Sequence, residues 1–451
     1  MVAEFQAVVF AAGKGSRFPE ILEGRPKCLL PIGSYPLIWY PLKILQRHGF
    51  TDVIVIALEH EKSEIQQRLE KTQLRIKIDF CTISGESDIG TADALRLISD
   101  RIRTDVVLVS CDTIVEFSLY PVLKQFRELD ASFVSLLVPN CAYNVSVPGP
   151  KTKYKLEQDL FGICASSNRL IFMGSASDFE QDLKLPGYLL RQNGKVDIRS
   201  GLQDAHIYVI KKWVLDFLEM SPNYSTLKGE LLPFIVKKQM LTNSNTQVQS
   251  DKPVSEVNVK INAKDINQLT PYTAMDKKIF DSSIFNKEPP SMNEQIRCYV
   301  VVAPDNTFGI RVNTLAAFCS ANRQIYKIFQ SVTDLPETAL IAPSSDIKSK
   351  QITSTAVSDQ AVVMEKTSIS STTIGANCTI NSKVKITNSI LMDYVTIGEN
   401  VTIENCIVCE KSNIKSGSTL RNCLVGSNYT VPNNTIKENQ HLSNSDGFME
   451  I

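Results

Sequence analysis

The sequence predicts an α/β domain followed by a parallel β-helix, and three observations predict this fold class. Apolar segments alternate with amphipathic segments over the first 330 residues, which is typical of a sheet covered by helices. A glycine-containing loop follows the first apolar segment. In the last hundred residues, apolar positions recur with a period of six, which indicates stacked coils that bury their apolar columns against each other.

The elements of the first domain follow from apolar periodicity. Strands are expected at 5–10, 52–59, 76–83, 106–112, 131–138, within 160–173, at 204–210 and at 296–304. Helices are expected at 37–48, 61–71, from Ala92, and at 118–130, 213–220, 231–240 and 314–329. This alternation predicts a Rossmann-like, doubly wound parallel sheet with right-handed crossovers.

The loop after the first strand contains candidate ligand-binding residues. Gly13 and Gly15 let the backbone turn and present N–H groups to an anion, while Arg17 and Lys27 add positive charge nearby. A loop in this position of an open α/β sheet commonly binds phosphate. However, Phe18 stands where a dinucleotide-binding loop needs its third glycine, and GxxxxGK[ST] does not occur. A simple tight turn therefore remains an alternative.

The segments AAGKGSR and RPKCLLPIGSYPLIWYPL resemble the signature of the sugar-nucleotide pyrophosphorylase (nucleotidyltransferase) superfamily. The resemblance implies a nucleotide pocket formed by Gly13, Gly15, Ser16, Arg17, Lys27, Gly90, Thr91 and Asp112. It also implies that Asp112 matches the first magnesium ligand, although Cys111 stands where the superfamily has glycine. From the residues alone, a carboxylate at a strand end could equally cap the next turn.

Other motifs of the superfamily are altered in this chain. The aspartate of the DIGT motif falls on Arg311, and a guanidinium cannot ligate magnesium. The sugar-phosphate motif EKP falls near FMGSA (172–176), which has no lysine, and NAGIYV becomes DAHIYVI, with Asp204 and His206 replacing Asn and Gly. We therefore expect no catalytic residue, no metal site and no cofactor. His206 is expected to be a packing or hydrogen-bonded residue.

The second domain is predicted from two series of apolar residues, here called columns. Each has a spacing of six residues, and both spacings shorten by one residue at the same place. One column runs through Ile374, Ile380 and Ile386, then through Leu391, Ile397, Ile403 and Cys409, and the other through Val384 and Ile390, then Val395, Val401 and Ile407. Such columns indicate a β-helix, whereas a β-sandwich, the alternative, would alternate by two. The superfamily resemblance implies a left-handed helix. The expected boundaries are a first domain at 1–330 with a flexible insertion at 242–265, a linker at 331–355, the β-helix at 356–440 and a tail at 441–451.

Composition excludes several classes of protein. Lysine plus arginine and aspartate plus glutamate each number 48, so we expect no direct nucleic-acid partner and no anionic membrane partner. No run of eighteen apolar residues and no leader-like start occurs, and the chain is expected to be soluble and cytoplasmic. The 11 cysteines fit reduced core thiols. The lone CxxC of Cys406 and Cys409 is interpreted as core packing, with a zinc or redox role as the alternative.

The segments FQAVVFAAGKGSR, PLIWYPL, IGTADALR, TDVVLVSCD, DAHIYVIKKWVLDFL and RCYVV, with the terminal MEI, resemble the gamma-subunit family of eukaryotic translation initiation factor 2B. That complex exchanges guanine nucleotide on initiation factor 2. The resemblance implies close pairing with an epsilon subunit, assembly with alpha, beta and delta subunits, initiation factor 2 as the G-protein substrate, and a cytosolic, non-catalytic scaffold.

Two alternatives remain open. One is an active sugar-phosphate nucleotidyltransferase, similar to mannose-1-phosphate guanylyltransferase, that uses Asp112 with Asp204 as a substitute ligand. The other is a ligand-sensing domain that binds a nucleotide without turning it over. An interface is expected at the strand edges of the terminal β-helix coils, because such edges need covering.

Overall fold

The first domain is organised by one seven-stranded sheet. The computed structural model describes residues 4–17, 19–22, 24–85, 89–140, 146–149, 158–179, 195–239 and 296–444; the predicted insertion (242–265) and the last seven residues of the predicted tail lie outside these ranges. The sheet strands are β1 (Phe5–Phe10), β2 (Asp52–Leu58), β3 (Lys77–Ile83), β4 (Asp105–Ser110), β5 (Phe133–Pro139), β6 (Leu202–Ile210) and β7 (Cys298–Val302). Their order is β7-β5-β6-β4-β1-β2-β3.

The sheet is parallel except at β6, which runs antiparallel to both β4 and β5. The prediction of a fully parallel sheet is therefore wrong at this strand. A parallel neighbour requires a crossover, usually through a helix, but β6 follows the strand Val196–Arg199 after only two residues. That strand belongs to a small three-stranded antiparallel sheet with Asp159–Cys164 and Leu170–Ser175.

Helices cover both faces of the sheet, as the sequence predicted. They are Pro19–Leu22, Trp39–Arg47, Lys62–Glu70, Thr91–Arg96, Tyr120–Glu128, Lys212–Met220, Leu232–Lys238 and Leu315–Thr333, with short 3₁₀ segments at Lys27–Leu29, Ser99–Arg101, Ala176–Asp178 and Glu337–Leu340 and a π turn at Leu227–Leu231. Strand β1 consists mostly of apolar residues because both of its faces are buried. Val8 and Val9 are both fully buried, but they belong to different cores on opposite faces of the sheet.

Two short pairs of strands complete the first domain. Pro31–Ile32 pairs with Tyr35–Pro36, and Thr113–Val115 pairs with Gly309–Arg311. The helix Leu315–Thr333, here called the connecting helix, leads towards the β-helix. It begins at the N-cap Thr314, whose hydroxyl accepts a hydrogen bond from the Ala317 N–H at 3.2 Å. It ends at Thr333, four residues beyond the predicted end.

The second domain consists of three stacked, parallel, six-stranded sheets, which confirms the predicted β-helix. The sheets are formed by Asp346–Ile347, Val362–Val363, Thr379–Ile380, Thr396–Ile397, Asn413–Ile414 and Thr430–Val431; by Gln351–Thr353, Ser368–Ser370, Lys385–Thr387, Thr402–Glu404, Thr419–Arg421 and Ile436–Glu438; and by Ala356–Val357, Thr373–Ile374, Ile390–Leu391, Ile407–Val408, Leu424–Val425 and His441–Leu442. The first coil thus starts within the segment expected to be a linker, and the last coil extends beyond residue 440.

One coil contains 17 residues, as the pairing of Ile386 with Ile403 shows. The one-residue shift in the sequence therefore recurs in each coil from Val362 onward, whereas the first coil, from Asp346 to Val362, contains 16 residues. Leu391 pairs with Val408, so Val408 and not Cys409 continues the inner column. The placement of Ile390, Ile407 and Cys409 in columns buried within the β-helix is wrong, because all three belong to the core shared with the first domain.

Asparagine occupies one corner of each of the last four coils. Asn388, Asn405, Asn422 and Asn439 have φ values of +48°, +50°, +49° and +53°. Asparagine tolerates this left-handed region better than most residues because its short polar side chain forms local hydrogen bonds. The corner residues therefore set where each coil turns.

The two domains share one apolar core and several ion pairs. The connecting helix contributes Phe318 and Phe329 to the core that also contains Ile390 and Ile407 of the β-helix. No helix within the described ranges is long and apolar enough to cross a lipid bilayer. The ten described cysteines are free thiols, and Cys406 is buried in the core of the β-helix, as predicted.

Candidate functional site

Asp112 lies at the centre of the candidate site, just after β4, and its residue is 2% exposed. Its carboxylate pairs with the Lys27 ammonium group, and its Oδ2 lies 3.4 Å from Arg311 Nη2. Ser110 Oγ donates a hydrogen bond to its Oδ1 at 2.7 Å. Burial alone would raise the pKa of Asp112, but Arg311 and Lys27 hold it well below its ordinary value. Asp112 is therefore ionised and engaged with two cations.

Strand pairing places Arg311 beside Asp112. Arg311 is opposite Thr113 in the antiparallel pair that follows β4, and the next residue, Val312, donates its N–H to the Asp112 carbonyl at 2.8 Å. Burial would lower the pKa of Arg311, but the Asp112 carboxylate raises it. Arg311 is thus a permanent cation that faces the Asp112 carboxylate.

His206 occupies an irregular point of β6. Its φ is +52°, and the pairing register with β5 shifts between Asp204 and Tyr208. Glycine adopts this conformation without strain, whereas residues with a Cβ atom rarely do. The His206 Nε2 atom is buried without a hydrogen-bond partner. Burial and then Arg311 hold the pKa of His206 well below its ordinary value, so the imidazole is neutral at pH 7.

Asp204 is fully buried, and its carboxylate accepts hydrogen bonds from two groups of its own strand and, at 3.4 Å, from the Ser135 hydroxyl of β5. Tyr208 donates its hydroxyl to Oδ2 at 2.6 Å, and the His206 N–H donates to Oδ1 at 2.8 Å. Burial raises the pKa of Asp204. Within the described part of the chain, no group of three His, Cys, Asp or Glu side chains could hold a metal ion. The carboxylates of Asp112 and Asp204 are thus both engaged by other groups of the chain.

The glycine loop adjoins the cation pair on Asp112. Gly15 has a φ of +64°, and a Cβ atom there would lie 3.5 Å from the Lys27 Cβ. Gly13, Ser16 and Arg17 are exposed. Lys27 is the first residue of a 3₁₀ turn, and its side chain is only 10% exposed. The structure thus brings Gly15, Lys27 and Asp112 together, with an exposed loop next to a buried ion pair.

Gly90 and Thr91 form contacts with another segment. Leu227 donates its N–H to the Thr91 hydroxyl at 2.9 Å, and Ala92 donates its N–H to the Ser225 carbonyl at 2.8 Å. A Cβ atom on Gly90 would overlap that carbonyl oxygen. These contacts hold the start of the helix against residues 225–227, and the assignment of Gly90 and Thr91 to a nucleotide pocket stays a prediction.

Sequence reasoning missed Ser110 and Lys228. Lys228 pairs with Asp159 at 2.7 Å and contributes to the lowered pKa of His206. No motif marks it, because it lies in a π turn that only the tertiary fold brings towards β6. Ser110 lies two residues before Asp112, a spacing that places alternate strand residues on one side and could have indicated the contact.

Two protein-family models match the chain. Residues 6–143 match the nucleotidyl transferase family, and residues 338–437 match the LbH domain of the EIF2B epsilon subunit. With its three parallel sheets, the second domain is a left-handed β-helix. The two matches follow the two domains of the structure.

Curated relatives extend this similarity. The translation initiation factor eIF2B subunit gamma of Schizosaccharomyces pombe is 30% identical over 329 residues, which is 72% of this chain and 66% of the relative. The chain belongs to the eIF2B gamma-subunit family. The Caenorhabditis elegans eIF2B subunit gamma is 31% identical over 54% of this chain and 60% of its own length. The Dictyostelium discoideum eIF2B subunit gamma is 26% identical over 72% of this chain and 75% of its own.

The chain thus spans 66% and 60% of the lengths of the first two of these eIF2B gamma relatives. The resemblance stated from the sequence motifs is confirmed at the level of the family. Within this eIF2B gamma-family chain, the structure adds the pairing of Arg311 and Lys27 with Asp112.

Proposed function

We propose that this chain is a non-catalytic subunit of eIF2B, the guanine-nucleotide exchange factor that replaces GDP by GTP on initiation factor 2 in translation initiation. The observation that carries the proposal is its similarity to eIF2B gamma subunits over 72% of the chain. Exchange requires no covalent chemistry, because a factor that binds the nucleotide-free G protein most tightly releases GDP. The chain would supply binding surface in the cytosol and hold the catalytic epsilon subunit.

The surroundings of Asp112 support a site that has lost transferase chemistry. Nucleotidyl transfer with magnesium requires carboxylate oxygens that neutralise and orient the triphosphate. Here the available carboxylate of Asp112 is engaged by Arg311 and Lys27, and the oxygens of Asp204 accept bonds from Tyr208 and the His206 backbone. A divalent cation beside Asp112 would be repelled by both basic groups.

The shared core and the ion pairs between domains support a scaffold role. Arg25 of the first domain contacts Asp393 at 3.1 Å and Glu410 at 2.9 Å, both on the β-helix. Such contacts would keep both domains in a fixed relation for a partner. We propose pairing with epsilon and further assembly with alpha, beta and delta subunits. The terminal coils remain the proposed interface, where Ile436 is 78% exposed.

Co-expression with epsilon tests the assembly. The pair should co-purify and give the mass of a stable complex by native mass spectrometry. Exchange on initiation factor 2 should be negligible for this chain alone, measurable for epsilon alone and higher for the pair. Full exchange by this chain without epsilon would contradict the proposal, as would failure of the pair to co-purify.

A magnesium-dependent assay tests the transferase alternative. The full chain would be incubated with GTP or UTP and sugar phosphates, including mannose 1-phosphate, and pyrophosphate release would be measured. We expect no release above background. Robust turnover that disappears in Asp112→Ala but persists in Asp346→Ala, a change at an exposed β-helix carboxylate, would replace the scaffold by an active enzyme.

A further inference from the structure

We propose that strand β3, at an open edge of the seven-stranded sheet, pairs antiparallel with β3 of a second copy of this chain. Within the described ranges, β3 is the last strand in the sheet order and pairs only with β2. The opposite edge strand, β7, is engaged within the chain, because Val300 donates its N–H to the Asn168 carbonyl at 3.1 Å and Tyr299 forms a bridge with Arg169. The inference concerns the first domain and does not depend on assembly with epsilon, which was assigned to the terminal β-helix coils.

Alternate residues of β3 present their main-chain groups to the open edge. Lys77 donates its N–H to the Thr51 carbonyl at 2.8 Å. In a parallel ladder, residues two apart bond the same neighbour, so the odd-numbered residues of β3 bond β2. The N–H and C=O groups of Ile78 and Phe80 therefore point away from the sheet. Such a row of unpaired groups is a template for another strand.

The sequence of β3 is complementary to itself when a twofold axis passes through Ile78. Ile78 then lies opposite Ile78 of the second copy, and Ile76 lies opposite Phe80; both pairs exchange main-chain hydrogen bonds. Between them, Lys77 lies opposite Asp79, in the non-hydrogen-bonded type of pair, whose side chains lie closest. A twofold axis makes each of these contacts occur twice, so two pairs of opposite charges form.

The charged side chains at this edge are available to a second copy. Lys77 and Asp79 are both exposed. Asp79 Oδ2 lies 3.2 Å from Arg101 Nη1, but these side chains are 62% and 45% exposed, and such a surface pair contributes little. Charges on an edge strand commonly prevent pairing with other strands. Because Lys77 and Asp79 are equally far from Ile78, pairing of β3 with itself instead brings opposite signs together.

An apolar groove lies beside the open edge. Its volume is about 410 Å³, and its apolar lining comes from the helix Lys62–Glu70, the segment that follows it and the edge strand: Leu69, Leu74, Ile76, Ile78 and Phe80. Since Ile78 lies on the proposed axis, the groove of one copy would continue into that of the other, and part of its apolar lining would leave water. A second copy therefore matches this edge in hydrogen bonding, charge and apolar surface.

Sedimentation velocity of the full chain over a wide range of protein concentration tests the inference. We expect a reversible dimer whose dissociation constant rises by about tenfold in Lys77→Asp and in Asp79→Lys, because each change places like charges opposite each other twice. The combined variant should recover the dimer, since opposite signs then meet again. Lys124→Asp is the matched control, because Lys124 forms an exposed ion pair with Glu128 on another helix.

Circular dichroism would establish that each variant is folded. A chain that stays monomeric at every concentration would overturn the inference, as would a dimer that neither single change weakens. Failure of the combined variant to recover would overturn the pairing of Lys77 with Asp79. Reduced co-purification of epsilon with Lys77→Asp, from a chain that is monomeric alone, would show that a second copy is the wrong partner. Co-purification of the unaltered chain with epsilon tests the proposed function separately.

Discussion

Replacing Asp393 by asparagine should weaken the contact between the two domains. The Asp393 side chain is 5% exposed and contacts Arg25 Nη2 at 3.1 Å, and it also pairs with Arg68. Its Oδ1 accepts a hydrogen bond from the Ala376 N–H at 2.8 Å. Asparagine keeps a similar shape and one acceptor oxygen, so Asp393→Asn removes chiefly the charge that joins the β-helix to the first domain.

The cost follows from the burial of the partners. Removing one member of a buried ion pair costs about 3–5 kcal/mol, because the remaining charge stays desolvated. Arg68 is 34% exposed and regains water, and Arg25 keeps Glu410 at 2.9 Å. Both effects reduce the penalty, and we expect the free energy of unfolding to fall by about 2–3 kcal/mol.

Urea unfolding followed by circular dichroism measures this change. With a slope of about 3 kcal/mol per molar urea, the midpoint should fall by roughly 0.7–1 M. Asp346→Asn is the matched control, since Asp346 is 57% exposed and pairs with Lys348 on the surface; it should cost under about 1 kcal/mol. If Asp393→Asn is no more destabilising than Asp346→Asn, the reasoning from burial is refuted.

Three further changes address other parts of the molecule. Burial and Arg311 lower the pKa of His206 in the folded chain, whereas in the unfolded chain this histidine binds a proton below about pH 6.5. The free energy of unfolding should therefore decrease from pH 7 to pH 5.5, by up to about 1.4 kcal/mol per pH unit. Urea unfolding across this pH range should show a smaller decrease in His206→Gln. Gly90→Ala should lower the melting temperature at a cost of about 1–3 kcal/mol because its Cβ would meet a backbone carbonyl, whereas Gly13→Ala, with nothing within 4 Å, should change little. Ile403→Ala in the β-helix core should lower the free energy of unfolding in urea by about 2–5 kcal/mol, whereas Ile436→Ala, at a site that is 78% exposed, should change it very little. Equal effects of Gly90→Ala and Gly13→Ala, or of Ile403→Ala and Ile436→Ala, would contradict the packing arguments. A pH dependence that is unchanged in His206→Gln would contradict the argument from histidine protonation.

The order and type of the elements in the first domain were accessible from the sequence, because burial on both faces leaves a continuous apolar run. Strand β1 matches its predicted bounds for this reason. The direction of β6 was not accessible, because its apolar pattern is the same whichever way it runs between β4 and β5. Its orientation depends on the small sheet that precedes it.

The β-helix shows a similar division. The six-residue spacing of Ile374, Ile380 and Ile386 indicated stacked coils, since an inward position must recur at each straight side. The true 17-residue coil places Val408 inside and Cys409 outside. Both residues are apolar, so their hydrophobicity does not distinguish them; the pairing of Leu391 with Val408 fixes which one points inward.

The sequence by itself determined the family and the two-domain order, because these depend on residue identity and spacing. Only the tertiary structure decided that Arg311 and Lys27 both contact Asp112, that Gly90 lies against residues 225–227, and that Asp393 joins the domains. These contacts link positions far apart in the chain. Their geometry is fixed by strand pairing and core packing and cannot be derived from local sequence patterns.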